Sequence, residues 1–337
     1  MNASTDTHPS TPQIIRAGHI AFRCADLGRA RAFYVDLLGF VETAADPDAL
    51  YLRGLEEEDH HSLVLRRAPT PGVSHLGFKV ASPDDLDRLE AIARQAGLPV
   101  RRVNPGEERG MGPAIRLQDP AGLPIEFYAS MDRTERLLQR FDRYAGPHIM
   151  RIDHFNCQVP DVAPLSDWYT KTWGFRCSEY TETEDTPPRL WAAWLHRKSN
   201  VHDIALMTGI GPRLHHAGFW LPETINVIRA CDILAGAGHH QAIERGPGRH
   251  GISNALFVYL RDPDGNRIEL YTGDYLTADP DRPPLRWSID DPRRQTFWGH
   301  AAPASWFDEA SRVESVLTGE LQATRQATLQ DRPQFVT

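Results

Sequence analysis

Two periodicities alternate along this chain. Short apolar stretches with a period of two, or wholly apolar, read as strands, and the segments after them with apolar residues three and four apart read as helices. Gly18–Phe22 predicts a first strand, and Phe33, Tyr34, Leu37 and Leu38 place a helix over Leu27–Leu38, with strands at Ala49–Arg53 and His61–Arg66. His75–Phe78 opens the same pattern again. Ser82 followed by Pro83 caps a helix that ends at Gly97, and Ala114–Leu117 and Ile125–Tyr128 flank the turn Asp119–Gly122. A third round runs from the strand His154–Val159 through a helix at Val162–Trp173, stopped by Gly174, to strands at Arg189–His196 and Val201–Met207. The fourth opens at His216–Phe219, continues with a helix over Thr224–Gly236 and closes on a hairpin, Asn254–Leu260, Asp262-Pro-Asp-Gly265 and Arg267–Tyr271.

The repetition extends to the residues themselves. Asp119-Pro-Ala-Gly122 followed by Pro124-Ile-Glu-Phe-Tyr128 matches Asp262-Pro-Asp-Gly265 followed by Arg267-Ile-Glu-Leu-Tyr271, and His75-Leu-Gly-Phe matches His216-Ala-Gly-Phe. The expected fold is α+β: four βαβββ modules paired into two domains, each curled around an inner face that can hold a ligand. The expected boundaries are a disordered tail at 1–12, an N-terminal domain at 13–130, a linker helix at 131–148 and a catalytic domain at 149–275. A C-terminal lid and tail at 276–337 follow, with a charged helix near Ala304–Leu317.

Composition narrows the function. With 37 basic and 45 acidic side chains the net charge is −8, and no basic stripe is present, which excludes nucleic acid as the main partner. No stretch approaches the roughly 18 apolar residues of a membrane span, and the first residues lack an apolar signal core. The four cysteines form no CxxC pair, so free thiols in a reducing cytoplasm are expected. Fifteen histidines are many for this length and direct attention to metal chemistry.

Glu269 supplies the first lead. On the last strand Ile268 and Leu270 share one face, while Glu269 points to the other, and a mid-strand carboxylate facing inward needs a partner. His154 and His216 precede it by 115 and 53 positions, so no local finger-type spacing exists and the three would converge only through the fold. Two histidines and one carboxylate are the facial set that leaves positions open for substrate and O₂ on Fe(II) or Mn(II). Spacing alone leaves open that these are satisfied structural histidines and a solvated carboxylate.

These residues resemble the vicinal oxygen chelate superfamily, and within it the type I extradiol ring-cleaving catechol dioxygenases. The resemblance rests on Asp153-His-Phe155, on His215-His-Ala-Gly-Phe219 and on Glu269 after an Asp-Pro-x-Gly turn. Longer matching runs are Ala192-Ala-Trp-Leu-His-Arg-Lys198, Val201-His-Asp-Ile-Ala-Leu206 and Ile243–Ala255. It covers about Ile14 to Ser311 and is closer to the homoprotocatechuate (3,4-dihydroxyphenylacetate) 2,3-dioxygenases. It implies a metal triad of His154, His216 and Glu269 holding Fe(II), with Mn(II) as the alternative. It also implies His202 as acid/base toward the oxygen species, Tyr259 and His250 beside the substrate hydroxyl, and Asn156 and Trp194 lining the pocket. Arg245 and Arg294 fall at positions that receive a substrate carboxylate. The relatives carry an Arg pair in the tail whose second member falls at Gln295; here the pair is Arg293-Arg294, which puts the carboxylate clamp one position out of step.

The implied reaction inserts both atoms of O₂ into a catechol beside the diol and gives a muconic semialdehyde. The partners are a small catechol and O₂, and the resemblance adds a homo-oligomer, a tetramer in the relatives. His202, unperturbed, would titrate at about 6.5, while a free catechol titrates at roughly 9–10. His19, His75 and Glu126 repeat the triad in the first domain, with His61 at the place of His202 and Arg116 at that of Tyr259. An Arg beside a dication opposes binding, so this first set is expected to be metal-free. The alternatives are another catechol's extradiol dioxygenase, a glyoxalase-like isomerase or lyase of the same superfamily, or a module that only sequesters aromatic ligands.

Overall fold

The computed structural model of the protein describes residues 11–329; of the expected tail, residues 1–10 lie outside the described residues, as do residues 330–337. Each domain is built on one sheet. The first contains β1 (Ile14–Cys24), β2 (Val41–Asp46), β3 (Ala49–Arg53), β4 (Leu63–Arg67), β5 (Gly72–Val80), β6 (Val100–Val103), β7 (Ala114–Gln118) and β8 (Pro124–Tyr128), in the order β2-β3-β4-β1-β5-β8-β7-β6. The second contains β9 (Arg151–Val159), β10 (Arg176–Glu182), β11 (Leu190–His196), β12 (Ile204–Thr208), β13 (Arg213–Trp220), β14 (Ile243–Arg249), β15 (Leu256–Arg261) and β16 (Arg267–Thr272). Its order repeats the first, and β17 (Leu285–Ser288) adds parallel to β10 at the edge. In each sheet two βαβββ modules meet along their opening strands, β1 with β5 and β9 with β13, both antiparallel. The four βαβββ modules in two domains expected from the repeats are the arrangement observed.

The central strands β1, β5, β9 and β13 are buried on both faces over most of their length, which is why they read as nearly continuous apolar runs broken by isolated polar residues. Ile20, Phe22, Leu76, Phe78, Ile125 and Phe127 from the first sheet join Phe155, Ala217, Phe219, Ile268 and Leu270 from the second in one core with the helices. The alternate residues His19, His75, Glu126, His154, His216 and Glu269 point the other way, into the concave faces, and are all buried. The domains also exchange polar contacts in matched pairs. Tyr34 of the first donates to Asp262 of the second (3.0 Å), and Tyr169 of the second donates to Asp119 of the first (3.1 Å).

Helices follow at the expected places, Leu27–Arg31 continuing in wider turns over Ala32–Leu37, then Pro83–Gln95, Val162–Lys171 and Thr224–Gly236. One expected helix is absent and another is shortened. Residues 131–148 form no α-helix: the segment runs along the first domain, bridging Met131 to Met111 and Arg133 to Asp59, with one short 3-10 turn at Phe141–Arg143. Leu137 is buried against Leu55 and Met150, and Gly146 sits at positive φ against the Leu38 carbonyl. These tertiary contacts outweigh the helical propensity of an arginine-rich stretch. The predicted tail helix shrinks to Ala304–Asp308, because the chain then extends so that Ser311 and Arg312 pair with β13.

Candidate metal centre and substrate pocket

The three expected ligands sit on three neighbouring strands. In register, Gly218 on β13 lies between His154 on β9 and Glu269 on β16. A Cβ at Gly218 would fall 2.2 Å from His154 Cε1. The glycine of the His-x-Gly-Phe pattern is therefore required by space: the His154 imidazole lies across it. His154 Nε2 is 2.9 Å and His216 Nε2 3.1 Å from Glu269 Oε2, and the two nitrogens are 3.4 Å apart. Three ligand atoms thus converge on one buried point, open on one side to a cavity.

The tautomers are fixed from behind. His154 Nδ1 donates to Asp153 Oδ2 (3.1 Å), which leaves Nε2 its lone pair. His215 Nε2 donates to the Trp306 carbonyl (2.9 Å), so its Nδ1 accepts from His216 Nδ1 at 2.7 Å, and His216 Nε2 is likewise free to bind. Asp153 is held in turn by Asn200 Nδ2 (2.9 Å) and sits 3.7 Å from Lys198 Nζ. Burial opposes charge on both ligand histidines, yet the flanking Asp153 and Glu269 carboxylates push His154 up to about 9. Burial takes His216, which has Glu269 as its one neighbouring carboxylate among the described residues, down to about 4. Burial also opposes charge on Glu269, but the two histidines hold it well below the usual carboxylate range. Once the His154 proton is displaced, two imidazole nitrogens and a carboxylate form a donor set that fits Fe(II) or Mn(II).

His154, His202, His216, His250, Tyr259 and Glu269 all line the cavity. The His202 ring is 4.0 Å from the His154 ring, centroid to centroid. Burial, with His154 beside it, holds His202 well below the ordinary imidazole range. His250 Nδ1 donates to the Gln295 carbonyl, so its Nε2 accepts the Tyr259 hydroxyl at 2.9 Å. Burial raises Tyr259 well above the usual phenol range and lowers His250 to about 3. Asn156 and Trp194 line the cavity too, and no described group pairs with Asn156 Oδ1.

Arg294 reaches the cavity from a short 3-10 turn, Pro292–Arg294, with its guanidinium over the Trp191 ring. Arg245 lies beside it, over Trp306, and bonds Thr296 Oγ1 at 2.8 Å. Both are almost wholly buried, and neither makes an ion pair with a carboxylate among the described residues. Burial lowers each to about 10, still charged at neutral pH. Arg293 is different: it is 69 % exposed and paired with Asp291, outside the cavity lining, so its expected role at the substrate is withdrawn. Residues 293–295 turn back on themselves, and only Arg294 and Gln295 face inward. Asp153, His215, Trp306, Asp274 and Met207 were not read from the sequence as site residues. Asp153 and His215 each adjoin a ligand in sequence, but strand alternation assigns adjacent side chains to opposite faces and so hides them.

Residues 151–270 match the Glyoxalase/Bleomycin resistance protein/Dioxygenase superfamily, and residues 73–132 match the Catechol 2,3-dioxygenase-like N-terminal domain. The chain is 33 % identical over 301 residues to the manganese-dependent 2,3-dihydroxybiphenyl 1,2-dioxygenase of Geobacillus genomosp. 3, covering 86 % of this chain and 94 % of that one. It is 31 % identical to the metapyrocatechase of Pseudomonas sp. (strain CF600), over 85 % of this chain and 94 % of that one. Among solved structures it is similar to homoprotocatechuate 2,3-dioxygenase from Brevibacterium fuscum in its anaerobic complex with 3,4-dihydroxyphenylacetate. That match has a TM-score of 0.89 and 41 % identity, and covers 94 % of this chain and 99 % of that one. With its four-module fold, its convergent His154, His216 and Glu269 and these relatives, the chain belongs to the extradiol ring-cleaving dioxygenases of the glyoxalase/dioxygenase superfamily.

Proposed function

We propose that the substrate is a catechol whose side chain ends in a carboxylate, of the 3,4-dihydroxyphenylacetate type. The observation that carries this is the pair Arg245 and Arg294, two buried guanidinium groups without a described carboxylate partner, one of them lining the cavity that contains the triad. A buried unpaired charge is costly unless a ligand supplies its partner, and a guanidinium fits a carboxylate in two-point contact. The similar solved structure is a complex with such a catechol, whereas the Geobacillus relative is named for 2,3-dihydroxybiphenyl.

His154, His216 and Glu269 would hold Fe(II) or Mn(II), whose chemistry here is Lewis acidity toward both catechol oxygens and electron transfer between ring and O₂. The protein groups handle position and protons. Tyr259 and His250 form a donor–acceptor pair beside the diol, through which a catechol proton can leave toward His250 Nε2. His202, neutral and packed beside His154, stands on the other flank with one ring N–H to offer to reduced oxygen. Trp194 and Asn156 bound the ring slot, and Arg294 at the far end sets which way the ring lies. Attack beside the diol with insertion of both oxygen atoms opens the ring to a muconic semialdehyde. A homo-oligomer, a tetramer by likeness to the family, and a cytoplasmic setting belong to the same reading; light scattering on the loaded enzyme checks the first.

The test is anaerobic loading with Fe(II) or Mn(II), then O₂ uptake and visible absorbance with 3,4-dihydroxyphenylacetate and with plain catechol in parallel. A yellow ring-opened product formed faster from the carboxylated substrate, and lost in His216→Ala, is the expected result. Equal specificity constants for the two substrates would remove the carboxylate assignment and leave the ring cleavage standing.

A further inference from the structure

The first domain contains the same three residues in the same register, His19, His75 and Glu126, and a fourth that the catalytic domain lacks. Gly77 lies between His19 and Glu126 as Gly218 does between their counterparts, and a Cβ there would fall 2.1 Å from His19 Cε1. His19 Nε2 is 3.0 Å from Glu126 Oε1 and 3.1 Å from His75 Nε2, close to the distances in the other domain. Glu108 completes the group: its oxygens are 3.8 Å from His19 Nε2, 3.5 Å from His75 Nε2 and 2.9 Å from His61 Nε2. All are buried, and four ligand atoms, one each from His19, His75, Glu108 and Glu126, lie within 4.8 Å of one another.

What differs is the cation. Arg116 faces Glu126 across the β7–β8 ladder, the register position that Tyr259 holds opposite Glu269. Its guanidinium bonds Glu126 through Nε and Glu108 through Nη2 (2.9 Å), and Nη2 is 3.4 Å from His75 Nε2. One positive charge thus answers two carboxylates at the point where the other domain gathers its ligand atoms. A guanidinium and a divalent ion cannot share that volume, both for space and because their repulsion in a buried site is large. The cluster is also reachable: Glu108 and Arg116 line a solvent-connected cavity, together with Tyr51, Arg66, Arg101 and Glu107.

We propose that the first domain contains a dormant divalent-metal site, formed by His19, His75, Glu108 and Glu126, in which the Arg116 side chain stands in for the ion and keeps it out. Two imidazoles and two carboxylates suit Mn(II), Fe(II) or Co(II). With Arg116 gone, the carboxylates lose their counter-charge and the ligand atoms are released toward a cation of higher charge.

Co(II) is the probe, because its bound spectrum reports ligand geometry independently of turnover. Full-length wild type and Arg116→Ala are stripped, loaded anaerobically with Co(II) and desalted. Arg116→Ala is expected to retain one more equivalent per chain than wild type, with added visible absorption. Arg116→Lys, which keeps a charge, stays at the wild-type number. His75→Ala in the Arg116→Ala background returns the count to the wild-type value, whereas His216→Ala in that background removes a different equivalent and leaves the new one. Where metal-free Arg116→Ala does not fold, it is refolded with and without Co(II): folding only with Co(II) supports the site, and folding in neither condition overturns it. A folded Arg116→Ala with the wild-type metal count, or a wild type that already holds two equivalents, also overturns the proposal.

Discussion

The matched tyrosine–aspartate contacts between domains allow a prediction with a sign. Tyr34 and Asp262 are buried, the hydroxyl donates at 3.0 Å, and the Asp262 carboxylate also accepts from the backbone of Asp264 and Asn266. Burial pushes Asp262 up to about 6, against these hydrogen bonds. A carboxyl raised in the folded state binds more protons there than in the unfolded chain. Its favourable contribution is complete below about pH 4 and is lost as pH rises through about 6. Tyr34→Phe keeps the ring contacts with Phe33 and Phe40 and removes only the donor. At pH 7.5 the acceptor is charged, and the lost bond costs about 1.5–3 kcal/mol; at pH 5 it is mostly protonated and the cost falls to about 0.5–1.5 kcal/mol. Unfolding entropy for a chain of this length is about 0.7 kcal/mol/K, so Tm drops by about 2–4 °C at pH 7.5 and about 1–2 °C at pH 5. Calorimetry at both pH values, on protein in the same metal state, reads this directly. A Tm change equal at the two pH values, or below about 1 °C at pH 7.5, would refute the reasoning. Tyr169→Phe should behave alike, because burial pushes Asp119 up to about 6 as well.

Three further outcomes follow from the site. Asp153→Asn removes the carboxylate behind His154 and should weaken metal binding about 10–100-fold, with a much smaller change in turnover per bound metal, as measured by chelator competition. Because His154 is pushed up to about 9 before metal binds, an ion must displace its proton; affinity should rise about tenfold per pH unit from pH 6.5 to 8.5 and flatten above 9. Arg294→Gln should raise KM for a carboxylated catechol about 10–100-fold and leave that for plain catechol nearly unchanged, while Arg293→Gln changes neither; steady-state O₂ uptake on both substrates decides.

The sequence by itself determined the repeat and the strand faces, and its resemblance to a known family singled out the triad. Alternation along each strand puts His154, His216 and Glu269 on the face opposite Phe155, Ala217 and Leu270, and that rule needs no neighbours. The Asp-Pro-x-Gly turns and capped helices are local chemistry and were legible for the same reason. Residues 131–148 and the tail helix were misread because their backbone partners lie far along the chain, at Asp59, Met111 and Arg213, and pairing there exceeds a weak helical preference. The supports behind the ligands were hidden too: Asp153 and His215 adjoin ligands in sequence, but only the fold brings their side chains to Nδ1 of His154 and His216. Which tail arginine faces the pocket was decided by a single 3-10 turn, which points Arg294 inward and Arg293 toward Asp291. Charge balance at the first triad was likewise a tertiary matter. The sequence placed Arg116 nearby, but only the fold brings Glu108 to its other side and makes one side chain do the work of an ion.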